Sequence, residues 1–362
     1  MRIGILTYYG VHNHGAVLQA NALKTVLQNM GHEVEFLSFE RSYEYISQEQ
    51  TKKYKISLAS IPYFVKYTFQ KGVGNILYNY KKSRTLKAYR QSQFVLNAPY
   101  DAFAGDATVI GSDEVFSLEI GYNPMLYGIG LKSKRKISYA GSFGPTTIED
   151  VNKLGKEAAI GEALSKMDAI SVRDQNSQSV IKDLTGKYVP LVCDPVILYG
   201  YQSEMGEKKA GESDYILVYA YDGRMNDETE AAAIKAYAKA HGKKLYSVGY
   251  YHKWCDKNIN VTPNQLLQYI RNASLVITDT FHGSVMSIIC NTPMAVKLRG
   301  NTNKLRYLLT EYGLAGQIMK DFSELERVSS NHIDFTAVNK IVEEKRSSSM
   351  NYLKTALGMQ LC

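Results

Sequence analysis

Short apolar runs alternate with amphipathic stretches along most of the chain, which is the pattern of strands followed by helices. In the first half, the apolar runs predict strands at 2–8, 33–39, 107–110, 136–140, 169–172 and 189–192. After the first run, apolar positions from Val17 to Met30 follow helical spacing and stop at Gly31. Strands that alternate with helices in this way indicate βαβ units and a parallel sheet.

A second series begins after residues 199–213, which are polar, contain glycine and show no periodicity. It predicts strands at 215–220, 244–249, 275–278 and 294–298, helices at 228–240, 263–272 and 303–312, and a long final helix within 335–357. We therefore predict an α/β protein of two doubly wound, Rossmann-like domains that face a cleft, the glycosyltransferase-B-like architecture. The predicted units are residues 1–200, residues 201–340 and a closing helix at 341–362.

Residues 41–100 interrupt this alternation and carry the basic charge of the chain. They contain 11 lysines or arginines against only Glu44 and Glu49, whereas the whole chain has a net charge of +8. The segment is also rich in tyrosine, and we predict that it forms helices inserted in the first domain, on the acceptor or membrane side. Basic and aromatic residues together favour an anionic membrane surface or a lipid-linked diphosphate glycan as partner. The structural alternative is a helical flap whose tyrosines pack on the body of the protein.

Composition and motifs exclude several classes of function. Charge confined to one segment, with no nucleic-acid-binding signature, argues against a nucleic-acid partner. The four cysteines are scattered, so neither a disulfide framework nor a metal site is predicted. No apolar run approaches the roughly 18 residues of a spanning helix, and the first residues hold no secretory signal. We expect a cytoplasmic protein with at most peripheral contact at the inner face of the membrane.

The most specific chemistry lies in residues 274–299, which read as strand, loop, helix and strand. The loop is expected at the carboxyl end of a strand, where open α/β sheets bind ligands. Gly283 would let the backbone approach a ligand, and Ser284 and the next residues would offer unpaired N–H groups to a phosphate or carboxylate. On the alternative interpretation, Asp279 or Thr280 only caps the helix and His282 is a surface loop residue.

Three motifs occur in order along the chain: LTYYGVHNHGAVLQA at 6–20, GSD at 111–113 and TDTFHG at 278–283. With them the chain resembles the polysaccharide pyruvyl transferase family over roughly residues 1–315. The resemblance implies a glycosyltransferase-B-like fold and transfer of a pyruvyl group from phosphoenolpyruvate to two hydroxyls of a sugar, giving a cyclic ketal and phosphate. It implies no cofactor besides this co-substrate. The implied acceptor is a sugar or lipid-linked oligosaccharide, a precursor of a surface polysaccharide or exopolysaccharide.

Such a reaction needs cations for the donor, an acid for its methylene carbon and a base for the attacking hydroxyl. His282 is the expected acid or base, because imidazole titrates near pH ~6.5, and Asp113 is the second candidate. The expected donor ligands are Gly283, Ser284, Arg173, Lys297, Arg299 and Lys304, and the expected acceptor ligands are Asn13, Gly15 and Ser112. Many family members have an arginine two residues before the loop histidine. That position is Thr280 here, so other cations or the helix terminus must hold the donor.

Two other functions fit the same scaffold, because a fold does not determine a function. A glycosyltransferase with a nucleotide-sugar donor would need contacts to a nucleobase and a ribose, for which the sequence shows no distinctive residues. A non-catalytic glycan-binding or assembly protein would not depend on His282.

Overall fold

The computed structural model describes residues 1–42, 61–208, 213–300 and 303–360, and within these ranges the strands form two parallel sheets. The strands of the first sheet are β1 (Arg2–Leu6), β2 (Glu33–Ser38), β3 (Leu96–Pro99), β4 (Ala107–Ile110) and β5 (Arg135–Ser138). Those of the second are β6 (Tyr215–Tyr219), β7 (Lys244–Val248), β8 (Lys257–Ile259), β9 (Leu275–Thr278), β10 (Met294–Lys297) and β11 (Ile318–Met319).

Helices connect the strands and cover both faces of each sheet. In the first part of the chain they are α1 (His14–Asn29), α2 (Ile61–Gln93), α3 (Ile148–Lys153), α4 (Glu157–Ser165), α5 (Gln175–Thr185), α6 (Pro195–Tyr199) and α7 (Gln202–Met205). The later helices are α8 (Glu228–Ala240), α9 (Pro263–Arg271), α10 (Phe281–Cys290), α11 (Asn303–Glu311), α12 (Leu325–Ser329) and α13 (Phe335–Ala356). None of the helices in the described ranges is long and apolar enough to cross a membrane.

The strand order reverses once in each sheet, as in doubly wound folds. The first sheet has the order β3-β2-β1-β4-β5 and the second β11-β10-β9-β6-β7-β8, with parallel pairing in both. The reversals lie between β1 and β4 and between β6 and β9, and the crevice outside such a point is where ligands bind in open α/β sheets. The predicted fold of two Rossmann-like domains is confirmed.

Several details of the predicted elements differ from the structure. Residues 169–172 and 189–192 contribute isolated bridges, such as Val172 to Leu191, rather than full strands. The short strands β3, β8 and β11 were not predicted, because two to four residues carry too little periodicity. The inserted segment 41–100 contains the helix α2, while residues 43–60 lie outside the described residues.

The two domains share an apolar core around the helix α1. Residues His14 to Leu23 of this helix are all buried, and it packs against α6 and against α9 of the second domain. One cluster of buried side chains joins Leu18 in α1 to Leu217 in β6 and Val285 in α10. The final helix α13 returns to the first domain, where the Tyr352 hydroxyl donates to the carbonyl of Ser138 at 2.8 Å. The cleft between the domains is therefore closed at its base.

Candidate active site

A cavity of about 500 Å³ lies between the domains, at the carboxyl ends of the strands beside both switch points. Its wall includes Asp113 after β4, Tyr221 and Arg224 after β6, and His282 after β9. The ends of three strands that are distant in sequence thus place polar side chains on one surface. The cavity is the candidate active site.

His282 lies in the first turn of α10 and is 5% exposed, so the expectation of a loop position without a packing role is wrong. Thr280 is the N-cap, and its hydroxyl accepts a hydrogen bond from the Gly283 N–H at 2.9 Å. The N–H of Ser284 donates to the Thr280 carbonyl at 3.3 Å. The N–H groups that were expected to be unpaired are therefore paired. Gly283 is required for packing, because a Cβ there would lie 2.2 Å from the Thr278 hydroxyl.

A buried ion-pair group, formed by Asp113, Arg173 and Asp194, lies beside His282. Arg173 donates from Nη2 to Asp113 Oδ1 and from Nη1 to Asp194 Oδ2, each at 3.0 Å. The side chains of Arg173 and Asp194 are 1% and 0% exposed. The guanidinium also lies 4.5 Å from the centre of the Phe281 ring. Arg173 is therefore held on three sides, and its position is determined before any substrate binds.

Electrostatics in this group favour charged carboxylates and a neutral imidazole. Burial acts to raise the pKa of Asp113, but the charges of Arg173 and Lys304, and that of His282 when it is protonated, outweigh burial and hold that pKa below its usual value. Burial lowers the pKa of His282, although the carboxylates of Asp194 and Asp113 oppose this effect. His282 is consequently neutral at pH 7. Its Nε2 lies 3.7 Å from Asp194 Oδ2 and has no hydrogen-bond partner within the described part of the chain.

The amino-terminal motif supports His282 from the first domain. Gly15 packs directly on the imidazole, since a Cβ at this position would lie 2.3 Å from His282 Cγ. Asn13 caps α1 by accepting the Gly15 N–H at 2.9 Å, and it also lines the cavity. Ser112 is fully buried and does not line the cavity. Of the three residues expected to bind the acceptor, only Asn13 reaches the cavity surface.

A second group of charges, the peripheral ion-pair group, consists of Arg224, Glu230, Asp279 and Arg299 on the second domain. Arg299 donates from Nε to Asp279 Oδ2 at 2.6 Å and from Nη2 to Glu230 Oε2 at 2.7 Å. Arg224 Nη1 lies 3.8 Å from Asp279 Oδ1. Burial raises the pKa of Asp279 despite the two neighbouring arginines. The side chains of Arg299 and Arg224 are 28% and 43% exposed, so water reaches this group.

The remaining predicted cations have different environments. Lys304 lines the cavity and pairs with Glu114 of the first domain, so this contact joins the two domains. Lys297 is not among the cavity-lining residues, and its ammonium group contacts the carbonyl of Lys320. Its assignment as a donor ligand is therefore not supported by its position. The position of Lys297 at the end of a strand was predicted correctly, but the direction of its side chain was not.

Sequence analysis missed Asp194, Arg224 and Glu119 as site residues. Asp194 and Arg224 both follow predicted strands, so the rule that strand ends line the crevice could have found them. Glu119 lies in a short 3₁₀ turn that shows no sequence periodicity. Across the described ranges, no three His, Cys, Asp or Glu side chains are arranged to hold a metal ion.

Comparison with known proteins agrees with the fold and identifies the family. The S. aureus MnaA–UDP co-structure superposes with a TM-score of 0.51 at 10% identity, over 99% of this chain and 97% of that one. The glycotransferase of kitacinnamycin also has a TM-score of 0.51, at 12% identity, over 98% and 99% of the two chains. A putative UDP-N-acetylglucosamine 2-epimerase from Listeria monocytogenes has the same score at 10% identity, over 94% and 90%. These similarities concern the fold alone.

No curated protein matches the chain in sequence. The family model for polysaccharide pyruvyl transferase, in contrast, matches residues 13–297, from the capping asparagine of α1 to the end of β10. This range includes Arg173, Asp194 and His282, the residues that meet at the cavity. The chain therefore belongs to the polysaccharide pyruvyl transferase family, a family of transferases.

Proposed function

We propose that this protein transfers a pyruvyl group from phosphoenolpyruvate to two hydroxyls of one sugar in a surface-polysaccharide or exopolysaccharide precursor. The observation that carries the proposal is that two residues line the same cavity: Arg173, which is buried and preoriented, and His282, whose buried Nε2 has no hydrogen-bond partner among the described residues. A fixed guanidinium suits a planar carboxylate or a phosphate, and an imidazole without a partner can exchange a proton with substrate.

Donor binding would use the cations on the cavity wall. Phosphoenolpyruvate carries a carboxylate and a phosphate, and the partly exposed cations of the wall are Lys304, Arg224 and Arg299, whereas Arg173 is enclosed by Asp113 and Asp194. Among these cations, Arg224 has the most exposed side chain, and its contact with Asp279 is long, at 3.8 Å. The peripheral cations therefore replace the arginine that many family members carry where this chain has Thr280. The phosphate would join or displace the carboxylates that these cations now contact.

The neutral His282 would act first as a base. Protonation of the methylene carbon makes the central carbon of the donor electrophilic, so the two events occur together. The proton of the attacking hydroxyl passes through His282 to the methylene carbon as the hydroxyl oxygen bonds to the central carbon. The second hydroxyl bonds to the same carbon, the bond to the phosphate oxygen breaks, and the proton of that hydroxyl leaves with the phosphate. Asp113 is held as a carboxylate, so its role is to accept a hydrogen bond rather than to act as the acid. A general base of this kind typically contributes about 10²- to 10⁴-fold in rate.

The test is an incubation with phosphoenolpyruvate labelled in its pyruvyl carbons and a panel of sugars and lipid-linked glycans. We expect label in the acceptor together with release of phosphate. His282→Asn should lower the rate by about 10²- to 10⁴-fold. The matched control is His241→Asn, because His241 is a 40% exposed histidine paired with Glu326 and should be dispensable.

Folding of both variants is measured by circular dichroism, since the imidazole of His282 is buried. Transfer of a sugar from a nucleotide-sugar donor, with no label moved from phosphoenolpyruvate, would establish the glycosyltransferase alternative instead. A folded His282→Asn variant with the wild-type rate would remove His282 from the mechanism.

A further inference from the structure

The helix α2 has one face that packs on both domains. Its buried residues Asn75, Tyr78, Lys82, Leu86 and Tyr89 recur at intervals of three or four, as one face of a helix requires. Three contacts reach the second domain: Tyr78 Oη donates to the Ile259 carbonyl at 2.8 Å, Asn79 Nδ2 to Asp222 Oδ2 at 2.9 Å, and Tyr89 Oη to Asn264 Oδ1 at 2.9 Å. The alternative prediction, that the tyrosines of this segment pack on the body of the protein, is therefore correct for Tyr78 and Tyr89.

The opposite face of α2 exposes large apolar side chains. Val73, Leu77 and Tyr80 are 67%, 56% and 61% exposed, and their spacing of four and three residues places them in one stripe. Arg84 and Lys87 continue the same stripe, with Lys81 beside it, and all three are exposed. The outward face of the helix thus changes from apolar to basic along its length.

The charge of α2 has a single sign. Its 33 residues include no aspartate or glutamate, whereas lysines and arginines occur along the whole helix. Exposed apolar side chains beside basic ones characterise helices that lie in the headgroup region of a bilayer. The apolar groups enter the boundary of the acyl chains while the cations contact anionic headgroups. A protein partner that carries both positive and negative charges would not explain why this helix has no acidic residue.

The helix also lies at the rim of the cavity. Asp222, which binds Asn79, is in the same turn as the cavity residues Tyr221 and Arg224. On the other side, the Ser83 hydroxyl lies 3.4 Å from Nε2 of His12, the neighbour of the cavity residue Asn13. A helix with its side chains is about 10 Å across, so the outward face of α2 lies about that far from these two loops.

We propose that the outward face of α2, formed by Val73, Leu77, Tyr80, Lys81, Arg84 and Lys87, docks on a bilayer that contains anionic lipid. Docking on this face brings the rim of the cavity to the membrane surface. The acceptor is then a sugar carried on a membrane lipid, and this second statement rests on the proposed pyruvyl transfer. The docking itself does not depend on that activity.

The experiment measures cosedimentation of the full chain with vesicles, without donor or acceptor. One set of vesicles contains phosphatidylcholine alone and the other a mixture with phosphatidylglycerol. We expect at least about tenfold stronger binding to the anionic vesicles at about 0.05 M salt, and loss of that preference at about 0.5 M salt, because salt screens the attraction.

Three variants locate the surface. K81E/R84E/K87E reverses the basic part of the stripe and should lower binding to anionic vesicles at least about tenfold. V73S/L77S/Y80S removes the apolar part and should also weaken binding. K132E/K235E/K239E makes the same change of net charge at three exposed lysines on other elements and should bind like the wild type.

Equal binding of wild type and K81E/R84E/K87E, or no binding of the wild type to anionic vesicles, overturns the proposal. Self-association that V73S/L77S/Y80S abolishes, without vesicle binding, assigns the face to a second copy of the chain instead. Pyruvyl transfer to a detergent-solubilised acceptor is assayed separately, so failure of docking and failure of the proposed activity are distinguishable.

Discussion

The two ion-pair groups of the cavity have similar chemistry but different access to water. In the buried group, Arg173 is enclosed between Asp113 and Asp194 with a side chain that is 1% exposed. In the peripheral group, Arg299 makes contacts of 2.6 and 2.7 Å to Asp279 and Glu230 but remains 28% exposed. Water can solvate the two arginines and Glu230 of the second group when a contact breaks, whereas Arg173 and Asp194 of the first group have no such compensation.

This difference indicates separate roles in binding and in orientation. The buried group can hardly change partners, because Arg173 and Asp194 would remain desolvated if their contact broke. It therefore suits the fixed orientation of groups beside His282. The peripheral group can exchange a carboxylate for a substrate phosphate at small cost, because the released carboxylate at Glu230 is partly exposed. Three measurements test this difference between the two groups.

The largest expected effect is on stability, in a pair of identical substitutions. Arg173→Met leaves the carboxylates of Asp113 and Asp194 near each other without a cation, and breaking a buried pair costs roughly 3–5 kcal/mol. Arg299→Met leaves the partly exposed Glu230 to water but leaves the buried Asp279 with Arg224 alone, so it should cost less, about 1–3 kcal/mol. Urea unfolding of the two variants beside the wild type measures both. Equal losses in the free energy of unfolding would contradict the difference between the two groups that their exposure indicates.

A smaller effect is expected on donor affinity. Arg299→Ala removes a charged contact from the cavity wall and should weaken phosphoenolpyruvate binding about tenfold to a hundredfold. Lys297→Ala is the matched control, because Lys297 contacts the carbonyl of Lys320 and does not line the cavity. Calorimetry with the donor compares the two variants directly. Weaker binding in Lys297→Ala than in Arg299→Ala would place the donor outside this cavity.

The smallest expected effect is a shift of the pH–rate profile. A neutral His282 is the active base, so activity falls as the pH drops through its pKa, which lies below the usual 6.5. The carboxylate of Asp194 raises that pKa, so Asp194→Asn should move the acidic limb to lower pH.

Asp279→Asn is the comparison, because Asp279 belongs to the peripheral group and should leave the limb in place. The measurement is kcat/KM against pH for the wild type and both variants. A shift of the limb to higher pH in Asp194→Asn, or the same shift in both variants, contradicts the assignment of His282 as the base.

Most secondary structure could be predicted because its causes are local. Thr262 caps α9 with Gln265 in a capping box, and Pro263 occupies the first turn, so the start of that helix is encoded within four residues. The start of α10 is also encoded locally, by the N-cap Thr280, although the prediction placed His282 in the loop before that helix. Residues 169–172 form isolated bridges and not a full strand. This was harder to predict, because strand pairing depends on the neighbouring segments and not on the apolar run alone.

Within the site, the sequence indicated which strand ends meet but not how their side chains pair. Arg173, Asp113 and His282 were predicted together, whereas the carboxylate of Asp194, which contacts both Arg173 and His282, was not. Lys297 and Arg299 were equivalent in sequence, yet only Arg299 lines the cavity. The direction of a side chain and the identity of its partner depend on packing between elements that are far apart in the chain.

By itself, the sequence determined the two series of strands and helices, the strand ends at which chemistry is placed, and the family, since these depend on periodicity, caps and short motifs. Only the tertiary structure decided that His282 is buried and neutral, because its environment comes from Gly15 and Asp194 in the other domain. The position of Arg173 depends on tertiary contacts as well, because its guanidinium is held between Asp113 and Asp194. Burial and charge pairing are sums over neighbours that approach only when the domains close on each other.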